Sequence, residues 1–500
     1  MKRIIAMLSA FAVAVALAGP VTKADAAAPI DPARVTWRVR VDLDYFMADP
    51  GVGPDGTIYI PNKFGKTQAL NPTTGATKWI APYGGGDFSI SVGSDATVYV
   101  AGGGAGTGGG TDSITALRPD GTLRWMFKGA GDYLLAGPNV GPDGNIYAVT
   151  DSTGIGFFSL TPAGQLRFST GRFADYGAQG MNIAFGPDRA YFGFDMVGIQ
   201  PRTFFAYDLD GGLRWTLGQP DDPPSPVAGP NGNVVLLAFP SGAGKSVWSY
   251  SADGQAVYRF YEFPGNVQSK PDVGVDNVAY VSRNFNTLLA LNPTGTVKWR
   301  YTDVGMMFAP KVNKQNTVVF VGGRATYGQP GFFRVLTTAG APLFQVPLPD
   351  EPGFAEYGQL VPGSRPVFSP DGTTAYSVAD VAGDGNVPYS DVYAYLYALD
   401  TKVASKPVPL APTNLTGRRV SATRTALAWH DSSSNETGFS IERCTGAACT
   451  SFVQIAKVRA NVESATDRSV PGIGTYRYRV RAYNASGDSA FSNRVTVQTT

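Results

Sequence analysis

Between residues 35 and 400 the chain alternates short β-branched and aromatic runs with clusters of Gly, Pro, Asp and Asn, a pattern of strands and tight turns. The pattern repeats. Gly53-Pro54-Asp55-Gly56-Thr57-Ile58-Tyr59-Ile60 returns as Gly141-Pro142-Asp143-Gly144-Asn145-Ile146-Tyr147-Ala148 and as Ser369-Pro370-Asp371-Gly372-Thr373-Thr374-Ala375-Tyr376, with looser copies from Ser94, Gly186, Gly229, Val275 and Lys314. Each copy has the form of a hairpin turn feeding a short strand. Eight such units recur roughly 40 to 57 residues apart, the period of a four-stranded propeller blade.

A second element follows at a regular distance. Ala69-Leu70-Asn71-Pro72, Ala116-Leu117-Arg118-Pro119, Ser159-Leu160-Thr161-Pro162 and Ala290-Leu291-Asn292-Pro293 are clear copies, and each runs through a Gly turn into an aromatic. The aromatics are Trp79, Trp125, Phe168, Trp215, Trp299 and Phe344, with Tyr258 in the fifth unit. Their spacing repeats while their chemical neighbours vary, which fits plugs packing one blade on the next. The eighth unit lacks an outer strand after Leu399, and Val35-Thr36-Trp37-Arg38 matches Val297-Lys298-Trp299-Arg300. The N-terminal strand is therefore expected to complete the last blade and close an eight-bladed, all-β propeller over 35–400, leaving no open sheet edge at the seam.

After a Pro-rich linker at 401–411 a different alternation begins, in Ala426-Leu427-Ala428-Trp429, Gly438-Phe439-Ser440-Ile441 and Tyr476-Arg477-Tyr478-Arg479-Val480. Its length and pattern predict a β-sandwich over 412–500.

Five hundred residues exceed one ordinary core, so two domains or a repeat array are required. Lys2 and Arg3, the apolar stretch 4–19 and Ala24-Asp25-Ala26 form an export-signal pattern, with cleavage expected after Ala26. The apolar stretch is shorter than a bilayer span, so a soluble secreted, extracellular or periplasmic protein is expected, with no membrane span. Removing Lys2, Arg3, Lys23 and Asp25 from 41 basic and 39 acidic residues leaves the mature chain formally neutral. Neutrality without a basic block gives no field for nucleic acid. Cys444 and Cys449, in an exported chain, predict a local disulfide.

The repeat motifs quoted above resemble those of the pyrroloquinoline-quinone-type propellers, the superfamily that holds quinoprotein dehydrogenases and an outer-membrane assembly lipoprotein. The C-terminal segment resembles a fibronectin type III domain: Pro412 with Asn414-Leu415-Thr416 opens it, Trp429 fits the buried core tryptophan, Asn435-Glu436-Thr437-Gly438-Phe439 a loop of bacterial members, and Tyr476 the corner tyrosine. The first resemblance raises the idea of a quinone-dependent dehydrogenase. Its enzymes carry adjacent cysteines near the quinone, however, and the propeller segment has none, so the quinone is not expected and no cofactor is assigned.

Other chemistries lack their residues. His430 is the only histidine and lies outside the propeller, which removes a nucleophilic triad there. Gly102-Gly103-Gly104 and Gly108-Gly109-Gly110 lack the Lys-Ser or Lys-Thr of a phosphate cradle. One pattern remains. Asp44-Tyr45, Asp87-Phe88, Asp132-Tyr133, Asp175-Tyr176, Glu262-Phe263 and Glu356-Tyr357 each stand just ahead of an expected innermost strand, so six acid-aromatic pairs would ring one mouth of the channel. Aromatic faces beside carboxylates suit sugar rings, and blade packing plus solvated acids is the competing account. Asp380, Asp384 and Asn386 offer alternating oxygens around a glycine turn, a candidate calcium loop.

These features predict a monomeric, non-catalytic binding or scaffold protein for an extracellular glycan or protein. The alternatives are a quinoprotein-like dehydrogenase, a carbohydrate-active enzyme using carboxylates such as Asp132 and Asp175, and an envelope assembly factor.

Overall fold

The computed structural model describes residues 23–24, 28–41, 49–62, 65–84, 90–102, 113–128, 134–150, 156–171, 183–193, 202–219, 226–238, 246–261, 270–283, 286–302, 306–307, 309–324, 331–349, 360–362, 365–381, 394–402, 408–484 and 487–499. The chain divides into two compact units, residues 1–402 and 403–500.

Among the described residues of the first unit, the strands form eight sheets of four or five strands, each built around consecutive antiparallel segments. The first sheet runs outward through Gly51–Val52, Ile58–Asn62, Lys66–Leu70 and Thr77–Ala81. The innermost strands meet from sheet to sheet: Gly51–Val52 touches Ser91–Val92, Asp272–Val273 touches Lys311–Val312, and Val367–Phe368 of the eighth sheet touches Gly51–Val52 of the first. Sheets arranged radially with the last against the first make a β-propeller.

The outermost strand of the eighth sheet comes from the other end of the chain. Val35–Val41 pairs antiparallel with Ala394–Asp400 and sets Trp37 opposite Ala398. Trp79 stands opposite Ala69, Trp125 opposite Ala116, Trp215 opposite Ala206 and Trp299 opposite Ala290, so the N-terminal strand takes the register of every other outer strand. Ahead of it, Ile30 bridges Gln345 in parallel on the edge of the seventh sheet. Lys23–Ala24, on the leader side of the expected cleavage site, lies beside Val297–Thr302.

The hairpin motif is held by its own side chains. The Thr57 amide donates to Asp55 Oδ1 (3.0 Å), the Thr57 hydroxyl to Oδ2 (2.6 Å), and Lys78 Nζ lies 3.6 Å from the same carboxylate. Burial pushes the Asp55 carboxyl up, yet these hydrogen bonds and the lysine charge outweigh it and hold it below its ordinary value. Asp95 with Arg124 (2.7 Å), Asp143 with Arg167 (3.6 Å) and Asp276 with Lys298 (3.4 Å) repeat the arrangement, which gives the cations ahead of Trp79, Trp125, Phe168 and Trp299 their role.

That aromatic locks neighbouring sheets together. Trp79 packs on the buried Tyr59 of its own sheet (centroids 5.7 Å apart), and its Nε1 donates to Pro119 O of the next (2.8 Å). Its ring lies so close to Gly121 that a Cβ there would fall 2.7 Å from Cδ2. Trp125 repeats this with Tyr99, Pro162 O and Gly164, and Trp299 with Tyr280, Thr338 O and Gly340. Trp37 does the same across the seam, on Tyr376 of the eighth sheet and on Pro72 O and Gly75 of the first. Phe344 faces the place where the eighth sheet has no such turn, and the Arg34 guanidinium covers its ring instead, 4.8 Å from the centroid.

The second unit holds two sheets. One joins Thr413–Ser421, Arg424–His430 and Ser464–Asp467; the other is built on Gly438–Thr445 and Gly474–Asn484, flanked by Val453–Arg459 and Val495–Thr499. Leu415, Leu427, Trp429, Phe439, Ile441, Tyr476, Tyr478 and Val480 share one buried cluster between them. Tyr476 donates its hydroxyl to Gly472 O (3.2 Å), and Cys444 and Cys449 form a disulfide at the end of Gly438–Thr445.

Candidate functional site

Aligning the units on the first residue of each hairpin turn brings out a column of equivalent sequence positions. Four residues before that point stand Asp49, Ser89, Gly137, Asn182, Ser225, Lys270, Ala309 and Arg365, six of them followed by proline. A proline at the start of a short innermost strand costs no ladder bond that such a strand needs. Two residues before the turn, on the same side of an extended chain, the charged residues are Asp272 and Lys311. All five charges therefore fall in the sixth, seventh, eighth and first units, which are neighbours around the ring.

The structure brings them together. Asp272, 4% exposed, lies at the start of its innermost strand and is engaged at both oxygens. Lys311 Nζ stands 3.0 Å and Arg365 Nη2 3.5 Å from Oδ1, and the Val312 amide donates to Oδ2 (2.8 Å). Arg365 Nη2 also donates to Pro271 O (3.0 Å), and its backbone amide donates to Asp49 Oδ1 (2.9 Å). Lys270 stands beside this cluster. Burial, then the like charges of Arg365 and Lys311, lower its ammonium to about 7, against the partial opposition of Asp49 and Asp272. Part of the Lys270 population is thus uncharged near neutral pH, where an ordinary lysine is fully protonated.

Such a cluster can grip a charged group, and the uncharged fraction of Lys270 is the amine in it that could accept a proton. Both oxygens of Asp272 are committed, and neither histidine nor cysteine occurs within it.

The acid-aromatic pairs Asp44-Tyr45, Asp87-Phe88, Asp132-Tyr133, Asp175-Tyr176, Glu262-Phe263 and Glu356-Tyr357 all lie outside the described residues, as do Asp384 and Asn386. Asp380 ends the strand Thr374–Val381 and pairs through its backbone with Val361 and Ala394. His430 sits on the surface of the second unit with Nδ1 3.1 Å from Glu463 Oε1. Trp125 and Trp299 sit in the inter-sheet contacts described above, and Trp215 joins them, donating to Ala252 O (2.8 Å).

No protein-family model matches the chain, and no curated protein does. Among solved structures, BamB from Moraxella catarrhalis is similar at 13% identity with a TM-score of 0.48, over 73% of this chain and 99% of that one. The C-terminal WD40 domain of Sif2 gives 9% identity and 0.49, over 72% and 97%. A Fn3-like protein from Clostridium thermocellum gives 22% identity and a TM-score of 0.16, over 18% of this chain and 92% of that one.

The charged column was missed when the sequence was read for acid-aromatic pairs alone. Its signal is the X-Pro dipeptide four residues ahead of each turn, where Asp49-Pro50, Lys270-Pro271 and Arg365-Pro366 break a series otherwise small or neutral, as in Gly137-Pro138 and Ala309-Pro310.

Proposed function

We propose that this chain is an exported, non-catalytic binding or scaffold protein. An eight-bladed propeller of the quinoprotein-like kind, closed by its N-terminal strand, offers one channel mouth to an extracellular glycan or protein. A fibronectin type III module over 412–500 follows as spacer or second contact. The observation that carries this is the convergence of Asp49, Lys270, Asp272, Lys311 and Arg365 at that mouth, with the Asp272 carboxylate tied to cations and backbone rather than left free as a base. Such a constellation suits holding a ligand more than turning one over. For the module, support comes from the buried Trp429 and from the Tyr476 hydroxyl bonded to the backbone four residues upstream.

The test uses the chain from residue 27 onward, immobilised and exposed to polysaccharides and to envelope proteins. Saturable capture without turnover is expected, lost when Tyr45, Tyr133 and Tyr176 are changed together to alanine while the melting temperature stays near that of the parent. Dye reduction after addition of the quinone and calcium, or depolymerisation of any polysaccharide, would replace the binding role with an enzymatic one.

A further inference from the structure

Among the described residues of this arc of the mouth the formal charges do not balance when Lys270 is protonated. Lys270, Lys311 and Arg365 bring three positive charges against the two carboxylates of Asp49 and Asp272. Both oxygens of Asp272 are already engaged. Lys270 makes no hydrogen bond or ion pair among the described residues, and the buried Nε of Arg365 has no acceptor. Crowding three half-buried cations is costly even beside Asp49 and Asp272, so an incoming anion would relieve repulsion as well as gain contacts.

We propose that this arc of the mouth, between Lys270 and Arg365 with Lys311 beside them, is a binding site for an oxyanion: a carboxylate, sulfate or phosphate group carried by the ligand. It rests on the binding role above and names the group that the mouth grips. A guanidinium with an unused N–H edge and a nearby ammonium form a donor set suited to oxygen-rich anions. Arg365 and Lys311 repel Lys270 while Asp49 and Asp272 attract it, so a cluster serving only to tie these sheets gains little from a lysine there. Since Lys270 carries its full charge only below about pH 7, the site strengthens as pH falls, with Asp49, Asp272, Lys311 and Arg365 as the charged groups that set its titration.

The experiment titrates the chain from residue 27 onward with sodium sulfate by calorimetry at about pH 6 and about pH 8.5, at constant ionic strength, against a chloride control. Saturable binding is expected, roughly three- to tenfold tighter at the lower pH. Lys270→Met should weaken it about tenfold, whereas Lys270→Arg stays within about threefold of the parent. Displacement of sulfate by glucose 6-sulfate, glucose 6-phosphate or a methyl glucuronide identifies which anion is the natural headgroup, and glucose itself should displace nothing. Absence of saturable sulfate binding overturns the site, and so does undiminished binding by Lys270→Met. Capture of a glycan or protein that Lys270→Met leaves intact removes the oxyanion site but keeps the binding role. Sulfate binding lost in Lys270→Met, with no glycan or protein captured, upholds the site and removes the wider role.

Discussion

Alanine at Gly164 and alanine at Gly144 impose the same backbone penalty but differ in what the new methyl group meets. Both glycines lie in turns of the third sheet with positive φ, +83° and +79°. An L-residue in that region costs about 1–2 kcal/mol. At Gly144 the added Cβ meets nothing within 4 Å, so the cost ends there. At Gly164 it lands 2.7 Å from Trp125 Cδ2 and 3.0 Å from Cε2 and Cε3. Carbon contacts are at rest near 3.5–4.0 Å, so the indole must retreat by roughly 1 Å. It is poorly placed to do so, because Nε1 is bonded to Pro162 O (2.9 Å) and the ring packs against Tyr99. Overpacking of that kind costs about 1–3 kcal/mol, which puts Gly164→Ala at roughly 2–5 kcal/mol in total. For a unit of this size, 1 kcal/mol corresponds to somewhat over about 1 °C in melting temperature. Calorimetry should therefore show a drop of about 1–3 °C for Gly144→Ala and about 3–6 °C for Gly164→Ala. Hydrogen exchange in Leu123–Lys128 should accelerate only in the second variant. On a Trp125→Ala background Gly164→Ala should cost no more than Gly144→Ala, a coupling of about 1–3 kcal/mol. Equal costs for the two alanines, or no coupling to Trp125, would refute the idea that these glycines are seats for the outer aromatics.

Three further outcomes follow from the same structure. Lys270→Met should stabilise the fold at about pH 6 by at most about 5 kcal/mol, read as a higher melting temperature, because the folded ammonium titrates below its unfolded value. The folded state then binds fewer protons than the unfolded one above about 7, so the deficit is complete below that pH and fades as pH climbs toward the ordinary lysine range; a stabilisation that persists undiminished at about pH 10 would contradict it. Trp37→Phe forfeits the bond to Pro72 O and part of the packing on Tyr376, so Ala394–Asp400 should lose exchange protection by about 1–2 kcal/mol while Thr287–Leu291 is unchanged. Replacing Cys444 and Cys449 together by serine should loosen Gly438–Thr445 by about 2 kcal/mol, read by exchange in the full chain under oxidising conditions.

The ring was legible because the same residues that fix each strand also recur. Val-Thr-Trp-Arg at 35–38 could be matched to Val-Lys-Trp-Arg at 297–300, and the register of Trp37 opposite Ala398 then reproduces that of Trp299 opposite Ala290. What the pattern did not disclose was the partner across the gap. The Gly turns at 75, 121, 164 and 340 read as turn chemistry alone, because nothing local says that an aromatic from a strand some 40 residues earlier will press on them. Such a role is a property of neighbouring units, and only geometry relates them.

The channel mouth was hidden for a different reason. Overall neutrality without a basic block was read as no field for nucleic acid, but a sum over the mature chain says nothing about five residues that meet at one place. Asp49, Lys270 and Arg365 are more than 90 residues apart in sequence and share only a repeat position, so no local window holds more than one of them. At the two repeat positions four and two residues ahead of the turn, the second to fifth units carry no charge, and the other four carry three cations and two carboxylates. The aromatic contacts at Trp125 and Trp215, in units with no charge at those two positions, repeat those at Trp299 and Trp37, in units that carry one. The packing between units therefore does not depend on charges at those two positions, which favours the oxyanion site proposed above as their use.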